Sequence, residues 1–371
     1  MKFKVKTHDF QKAINSVEGV ITAREIKSAL SNIKVETGEK AIFLSATDLE
    51  ISLKTSVEAE VFETGSISLP ARQLSNAFKT INFEHTMLET DQEYPTQTII
   101  TDADSKIDFR LNINGIDADE IKTIGTVDME SIFELPCRTF LEMIRKTSYA
   151  VALEDTRFVF NGLFVLSKGE HVSFIGTDGR RLAKVDRVFP NKIPFDSGII
   201  IPHKAVREIQ KMIELNEFGR VGIIDKQIYI AIGNVELLCK LIDGTYPDYD
   251  SVIPKSSSEN VRINKDSFQI ALKQALIAAE EPSRQIRLRF VDNHLHINSS
   301  TPGSTEININ IPVEYNSDET IIAFKGDYLI DVVKSIDDSE LTVEFSGSNA
   351  PVLFRDPSDE EYLSVIMPMK L

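Results

Sequence analysis

Cysteine is scarce in this chain: 371 residues carry two thiols, Cys137 and Cys239. Two cysteines make neither a disulfide framework nor a zinc ligand set. Long apolar runs are missing too, since none approaches the ~20 residues of a membrane span. The opening MKFKVK lacks the apolar stretch of a secretory signal. These absences place the expected protein in the reducing cytoplasm, away from membranes. Catalytic motifs are equally lacking: there is no GxxxxGK(S/T) loop, no GxGxxG after a strand and no HExxH. His294 and His296 share a face of a probable strand, yet no nearby Cys or third His completes a metal site. Asp102 and Asp104 sit in TDADSK, which reads as a solvated hairpin. A nuclease needs carboxylates converging from several elements around metal ions. No catalytic residue, metal or cofactor is therefore expected.

What the chain does contain is a threefold repeat. An amphipathic segment centred on Phe10 recurs at Phe140 and Phe268. A second such segment follows in each case, at 68–81, 200–213 and 322–336, and each enters from a short apolar run. A period this long exceeds the roughly 20–50 residues of solenoid units, so each repeat is a whole domain. The expected domains are 1–125, 126–254 and 255–371. Phe10, Ala13, Ile14 and Val17 fall at helical spacing, as do Phe140, Met143 and Ile144, and Phe268, Leu272, Ala275 and Leu276. Pro70 and Pro202 precede equivalent helices of the second set, where a missing amide proton costs little. Between the helices, runs such as IRLRF and EININI alternate apolar and polar residues and read as half-buried strands. The fold class is α+β: three repeated domains, each two helices packed on antiparallel sheet, with two similar halves per domain. Edge strands are then available to pair one domain with the next.

The formal charge of −16 argues against nucleic acid until its distribution is considered. Segment 70–80 carries Arg72 and Lys79 and no acid. Segment 138–146 carries Arg138, Arg145 and Lys146 against Glu142, and 203–213 carries Lys204, Arg207 and Lys211 against Glu208. The last third is weaker, with Lys265 and Lys273 against Asp266. Tyr149 and Arg157 flank the loop AVALEDT, which has no counterpart in the other thirds, and with Arg24 and Arg145 they are further candidates to touch a phosphate backbone. Such contacts are electrostatic and position a duplex without reading it.

Three motifs break the repetition. GTDGRRLAKVD at 176–186 reads as strand, tight turn, strand, with Arg180 and Arg181 near the turn. DGTYPDYDSVIPK at 243–255 is a stiff connector between the second and third domains. The ending YLSVIMPMKL is too apolar to be a frayed tail, and its methionines suit an adaptable binding surface.

These motifs, with ATDLE at 46–50, SLPAR at 68–72, RFVFNG at 157–162, YPDYDSVIP at 246–254 and VIMPMKL at 365–371, resemble the bacterial DNA polymerase III beta subunit family, the sliding clamps of replication. The resemblance covers the whole chain. It implies a homodimer, two chains joined head to tail into a six-domain ring around double-stranded DNA, with helices lining the hole. It also implies a cleft for short linear peptides with Gln and apolar residues, borne by the DNA polymerase III alpha subunit, the clamp loader, other polymerases and repair proteins. Carried onto this sequence, the cleft residues are Phe160, Thr177, Gly179, Arg180, Arg181, Leu182, Pro247, Ser251, Val252, Val365, Met367, Pro368, Met369, Lys370 and Leu371. Arg180, Phe160 and Ser251 stand where His, Leu and Arg are common in the family. At the dimer seam the resemblance implies Ile107, Phe109, Ile277 and Ala278. The expected function is a noncatalytic processivity factor. A protein-only scaffold of the same fold and a DNA-acting enzyme are the competing readings.

Overall fold

The computed structural model describes residues 1–370 except 22–28, 122–123, 125–131, 191–197, 214–217 and 225. Among the described residues one pattern, a strand, a helix and three more strands, occurs six times in succession. The first two copies are β1 (Lys2–Lys6), α1 (Thr7–Glu18), β2 (Asn32–Thr37), β3 (Ala41–Thr47) and β4 (Ile51–Glu63), then β5 (Ser66–Pro70), α2 (Ala71–Thr80), β6 (His85–Thr90), β7 (Gln97–Asp102) and β8 (Arg110–Asn114). The next two are β9 (Ile132–Pro136), α3 (Cys137–Thr147), β10 (Gly162–Lys168), β11 (His171–Thr177) and β12 (Arg181–Val188), then β13 (Ile199–Pro202), α4 (His203–Ile213), β14 (Phe218–Ile224), β15 (Gln227–Ile232) and β16 (Val235–Lys240). The last two are β17 (Glu259–Asn264), α5 (Lys265–Ala278), β18 (Gln285–Val291), β19 (His294–Thr301) and β20 (Thr305–Pro312), then β21 (Thr320–Lys325), α6 (Gly326–Ser335), β22 (Glu340–Phe345), β23 (Val352–Asp356) and β24 (Asp359–Ile366). The apolar run that precedes each helix is thus a strand.

The helices form where the apolar spacing puts them. Phe10, Ala13, Ile14 and Val17 of α1 are buried, and the Phe10 ring lies 4.7 Å from Phe78 of α2. Phe140, Met143 and Ile144 of α3 are buried, with Phe140 edge-on to Phe174 of β11 at 4.9 Å. Each such fully buried ring contributes about 1.5–3 kcal/mol as an upper bound.

The two halves of each third exchange their leading strands. β1 pairs with β6 and β5 with β2; β9 pairs with β14 and β13 with β10; β17 pairs with β22 and β21 with β18, all antiparallel. β1 also pairs with β4 of its own half; among the described residues the other five leading strands have their strand partner in the opposite half alone.

A second rule joins the thirds. The last strand of one domain's first half pairs with the last strand of the next domain's second half: β4 with β16, and β12 with β24. These ladders are continuous enough that the chain forms two compact units, cut through the middle third rather than at its ends. One unit is Met1–Arg138 with Lys204–Leu241, and the other is Thr139–His203 with Ile242–Leu371. The first holds a twelve-stranded sheet and the second holds sheets of eight and four strands. Among the described residues, the two strands in the position that makes such a joint but without a partner there are β8 and β20.

Candidate functional site

The turn between β11 and β12 is built by its own side chains. Asp178 Oδ1 accepts from the amides of Arg180 at 2.9 Å and Arg181 at 3.0 Å, and Thr177 Oγ1 accepts from the Gly179 amide at 3.0 Å. Gly179 has φ +81°, a left-handed conformation that glycine adopts without steric cost. Arg181 then turns inward: its guanidinium bonds Asp178 at 3.1 Å, Asp331 at 2.7 Å and the Tyr149 carbonyl, and lies 4.3 Å over the Tyr328 ring.

The 243–255 connector packs beside this turn. Tyr246 stacks face to face on Phe164 at 4.5 Å and donates to the Ile175 carbonyl at 3.3 Å. Burial pushes its phenol pKa up, so it remains a neutral donor. The C-terminal segment supplies the third wall. Leu182 is opposite Val365 in the β12–β24 ladder, and the Met367 amide donates to the Arg180 carbonyl at 2.9 Å.

These three segments and the short helical turn Phe158–Asn161 form a cavity of about 170 Å³ lined by Phe160, Thr177, Gly179, Arg180, Arg181, Leu182, Pro247, Asp248, Tyr249, Val252, Val365 and Met367. Ten of the fifteen positions expected from the sequence are in that lining. Asp248 and Tyr249 are additional, and their place inside YPDYD, between Pro247 and Val252, is the signal that could have found them. Ser251 is outside the lining and donates to the Asp248 carbonyl at 2.8 Å. Beyond Met367 the tail turns onto β21, where the Met369 amide donates to the Ala323 carbonyl at 2.7 Å and the Lys370 carbonyl accepts from Gln285. Pro368, Met369 and Lys370 do not line the cavity, and Leu371 lies outside the described residues. Apolar walls with a few fixed polar groups suit a short peptide's side chains.

Burial pushes the Cys137 thiol up to about 11 and the Cys239 thiol to about 12, so neither is a nucleophile. Among the described residues, Glu84, His85 and Asp104 bring three potential metal ligands together, but Lys4 Nζ already sits 3.0 Å from Asp104. His296 Nδ1 instead pairs with Asn310 Oδ1 at 2.6 Å. Asp102, read as part of a solvated hairpin, is buried and accepts from the amides of Asp104, Lys106 and Ile107.

The candidate phosphate contacts fall into two groups. Arg72, Lys79, Arg138, Arg145, Arg207 and Lys273 are exposed and, among the described residues, have no ion-pair partner. Arg138 and Arg145 are seven residues apart, two turns of α3, and Arg72 and Lys79 repeat that spacing on α2. The others are engaged. Lys204 Nζ bonds Asp48 and the Val20 carbonyl, Lys211 bonds Glu208 at 2.8 Å, and Lys265 donates to the Ile336 carbonyl at 2.6 Å. Arg24 lies outside the described residues.

Two expectations, for Lys146 and Tyr149, are corrected. Lys146 is 3% exposed, with Asp337, Asp359 and Asp356 at 2.8, 3.2 and 3.3 Å, so its charge is committed inside the protein. The Tyr149 hydroxyl points inward, 2.8 Å from the Tyr362 hydroxyl and 3.0 Å from Ser364. Arg157 is exposed but held by both oxygens of Asp155 at 2.9 Å.

Of the seam residues, Ile107 and Ile277 are exposed apolar side chains, at 47% and 79%. Phe109 is half-buried with its ring 5.5 Å from Phe83, and Ala278 is buried, its carbonyl accepting from Thr301 at 3.0 Å.

Comparison with known proteins gives these features a common setting. The sequence matches the DNA polymerase III beta subunit N-terminal domain over 1–125, its central domain over 134–248 and its C-terminal domain over 250–370. It is 28% identical to the beta sliding clamp of Rickettsia bellii, with each chain covered in full, and 27% identical to that of Chlamydia pneumoniae. The fold superposes on a sliding clamp from Bartonella birtlesii bound to griselimycin, with a TM-score of 0.93, 25% identity and full coverage of both chains. A Pseudomonas aeruginosa clamp with the same ligand gives a TM-score of 0.90 at 25% identity, also over both whole chains. With all three domain types matched in order along a sixfold β-α-β-β-β chain, this protein belongs to the DNA polymerase III beta subunit family.

Proposed function

We propose that two copies of this chain close head to tail into a six-domain ring around duplex DNA, with domain boundaries near residues 125 and 254. The chain is a DNA sliding clamp, a noncatalytic factor that tethers the polymerase and confers processivity. Tethering turns repeated capture from solution into a local encounter, as linking two binding modules does.

The carrying observation is the pair of open joint strands. Within the chain the joint rule sets Leu53 opposite Leu237 and Ala183 opposite Ser364. Leu53 and Ala183 face Ala46 and Gly176 across their hairpins, and in the last domain Ile307 faces Ser299 in the same way. Leu237 and Ser364 face Ile230 and Phe354, and in the first domain Leu111 faces Ile100. Applied between chains, the rule sets Ile307 of one protomer opposite Leu111 of the other and Ile309 opposite Phe109. Exposed Ile107 and Ile277 are the apolar residues such a seam covers.

The exposed helix cations Arg72, Lys79, Arg138, Arg145, Arg207 and Lys273 then face the DNA, giving weak, sequence-independent contacts compatible with sliding. The cavity between the 177–182 turn, the connector and the tail receives the peptide of the polymerase alpha subunit, the clamp loader or another partner. The reducing cytoplasm is the working compartment; no helix of the described residues is long and apolar enough to cross a membrane. Native mass measurement is expected to give two chains per particle. Loaded clamp is expected to stay on closed circular DNA and to leave linear DNA through its ends. A monomer, or equal loss from both DNAs, rejects the ring.

A further inference from the structure

The loop that leads into β8, one of the open joint strands, is folded around one carboxylate. Asp102 ends β7 and is 6% exposed. Its Oδ1 accepts the Asp104 amide at 3.0 Å, and its Oδ2 accepts the amides of Lys106 and Ile107, each at 2.9 Å. The Ser105 amide donates to the Asp102 carbonyl at 3.2 Å, and Ser105 has φ +54°, a left-handed conformation uncommon outside glycine. A second carboxylate ties the loop to the sheet. Asp104 receives Lys4 Nζ of β1 at 3.0 Å and pairs with His85 Nδ1 of β6 at 3.1 Å, while the Ala103 amide donates to the His85 carbonyl at 3.0 Å. Those side chains hold the Asp104 carboxyl down to about 2, so the anchor is an anion at any working pH. What the loop presents outward is apolar: Ile107 is exposed, and two residues on Phe109 leans against Phe83. Backbone strain persists only where the surroundings over-determine it, and it clusters at functional positions. Here it lies in the turn that fixes an exposed isoleucine at the mouth of an open strand.

We propose that Asp102 is a positioning residue of the subunit seam: by gathering the 104–107 amides it presents Ile107 to the partner copy in a shape set before the chains meet. The proposal rests on the ring reading. Ordering a loop on association costs affinity, and a loop ordered beforehand removes that cost. A carboxylate suits the task because both oxygens accept, whereas the side-chain amide of an asparagine would turn a donor toward donors.

The test uses the full-length protein, with dimer dissociation read as loss of energy transfer when a doubly labelled dimer is diluted. Asp102→Asn, nearly the same shape, is expected to raise the dissociation constant about tenfold, or ~1.4 kcal/mol. Hydrogen exchange is expected to quicken at the Lys106 and Ile107 amides while the β6–β7 ladder keeps its protection. Asp104→Asn, which loosens only the anchor, is expected to act in the same direction by a smaller factor. In an Ile107→Ala background Asp102→Asn is expected to cost clearly less than in the unaltered protein, because the two residues act through one contact. Affinity for a fluorescent peptide of glutamine followed by leucine and phenylalanine should not change, since the cavity is built from the other compact unit. Unchanged dissociation in Asp102→Asn overturns the proposal, as does a fully additive double variant. If Asp102→Asn unfolds the first domain, Asp104→Asn decides, and unchanged dissociation there overturns it. A monomeric unaltered protein is a separate result, which removes the ring reading itself.

Discussion

Lys146 and Arg145 are adjacent in sequence and opposite in fate. Successive helical residues point about 100° apart, so Arg145 stays in solvent while Lys146 follows Met143 inward. Its ammonium meets Asp337, Asp356 and Asp359 and lies 4.8 Å from the Tyr362 ring. Lys146→Met leaves Asp356 buried without its cation, a change expected to cost about 3–5 kcal/mol in the unfolding of the unit that contains both residues. Urea melts followed through that unit check it. The acid dependence gives a second readout. Burial alone would raise the Asp356 pKa, but the Asp337 amide and the Ser358 hydroxyl and amide hold it below the ordinary value. A carboxyl with a depressed folded pKa stabilises above its unfolded value of ~3.9, and that stabilisation is lost as pH falls through the folded value. In Lys146→Met the loss is expected to begin at higher pH than in the unaltered protein. The helical phase of Lys146 was legible in the sequence, since Phe140, Met143 and Ile144 define the inward face. The three carboxylates that receive it were not, because they lie some 190 to 215 residues further along the chain and no local pattern links them.

At the scale of elements, sequence reading was strongest where structure is local. Apolar spacing located the six α-helices of the described residues, and the Asp178-Gly179 pair located the turn that builds one cavity wall. Strand partnership was not legible: nothing within β1 says that it pairs with β6 rather than β2. Such pairing is decided by which half supplies a complementary edge once both have formed. The tail shows the same division. Its apolar content indicated docking, and the structure shows which docked residues also line the cavity. Val365 belongs to the β24 ladder and lines the cavity, Met367 lines it beyond the ladder's end, and Met369 is tied to β21 away from it. Removing Met367 to Leu371 therefore spares the β12–β24 ladder, which ends at Ile366. The truncated protein is expected to keep its dimer and its melting temperature to within a few degrees, and to bind the peptide at least about tenfold more weakly, since a largely buried apolar contact is worth ~1.5–3 kcal/mol. Fluorescence anisotropy with the same peptide measures this, and undiminished affinity would remove Met367 from the binding wall.

For the whole molecule, the central question is how a chain of charge −16 holds DNA. Net charge sets the far field, but the phosphate backbone responds to cations within about a Debye length, ~8 Å at physiological ionic strength. The structure sharpens the count of those cations. Lys146, Lys204, Lys211 and Lys265 are already committed to protein acceptors, which leaves Arg72, Arg145 and Arg207 as representatives of α2, α3 and α4 without an ion-pair partner among the described residues. The proposed ring of two chains would present six of these arginines, and neutralising one phosphate contributes about 0.9 to the slope of log affinity against log salt. Changing all three to Gln is therefore expected to reduce that slope by at most ~5, and by less where only part of the ring touches DNA at any moment. Because contacts made through an enclosing ring are individually weak, retention on closed circular DNA at low salt should persist in the triple variant, while diffusion along the duplex should become faster. Peptide affinity should not change, since none of the three residues lines the cavity. Salt titration of binding to linear duplex, set beside retention on circles, separates the two contributions: an unaltered salt slope would remove these helices from the DNA face, whereas loss from circles at low salt would mean that charge, and not enclosure, holds the clamp in place.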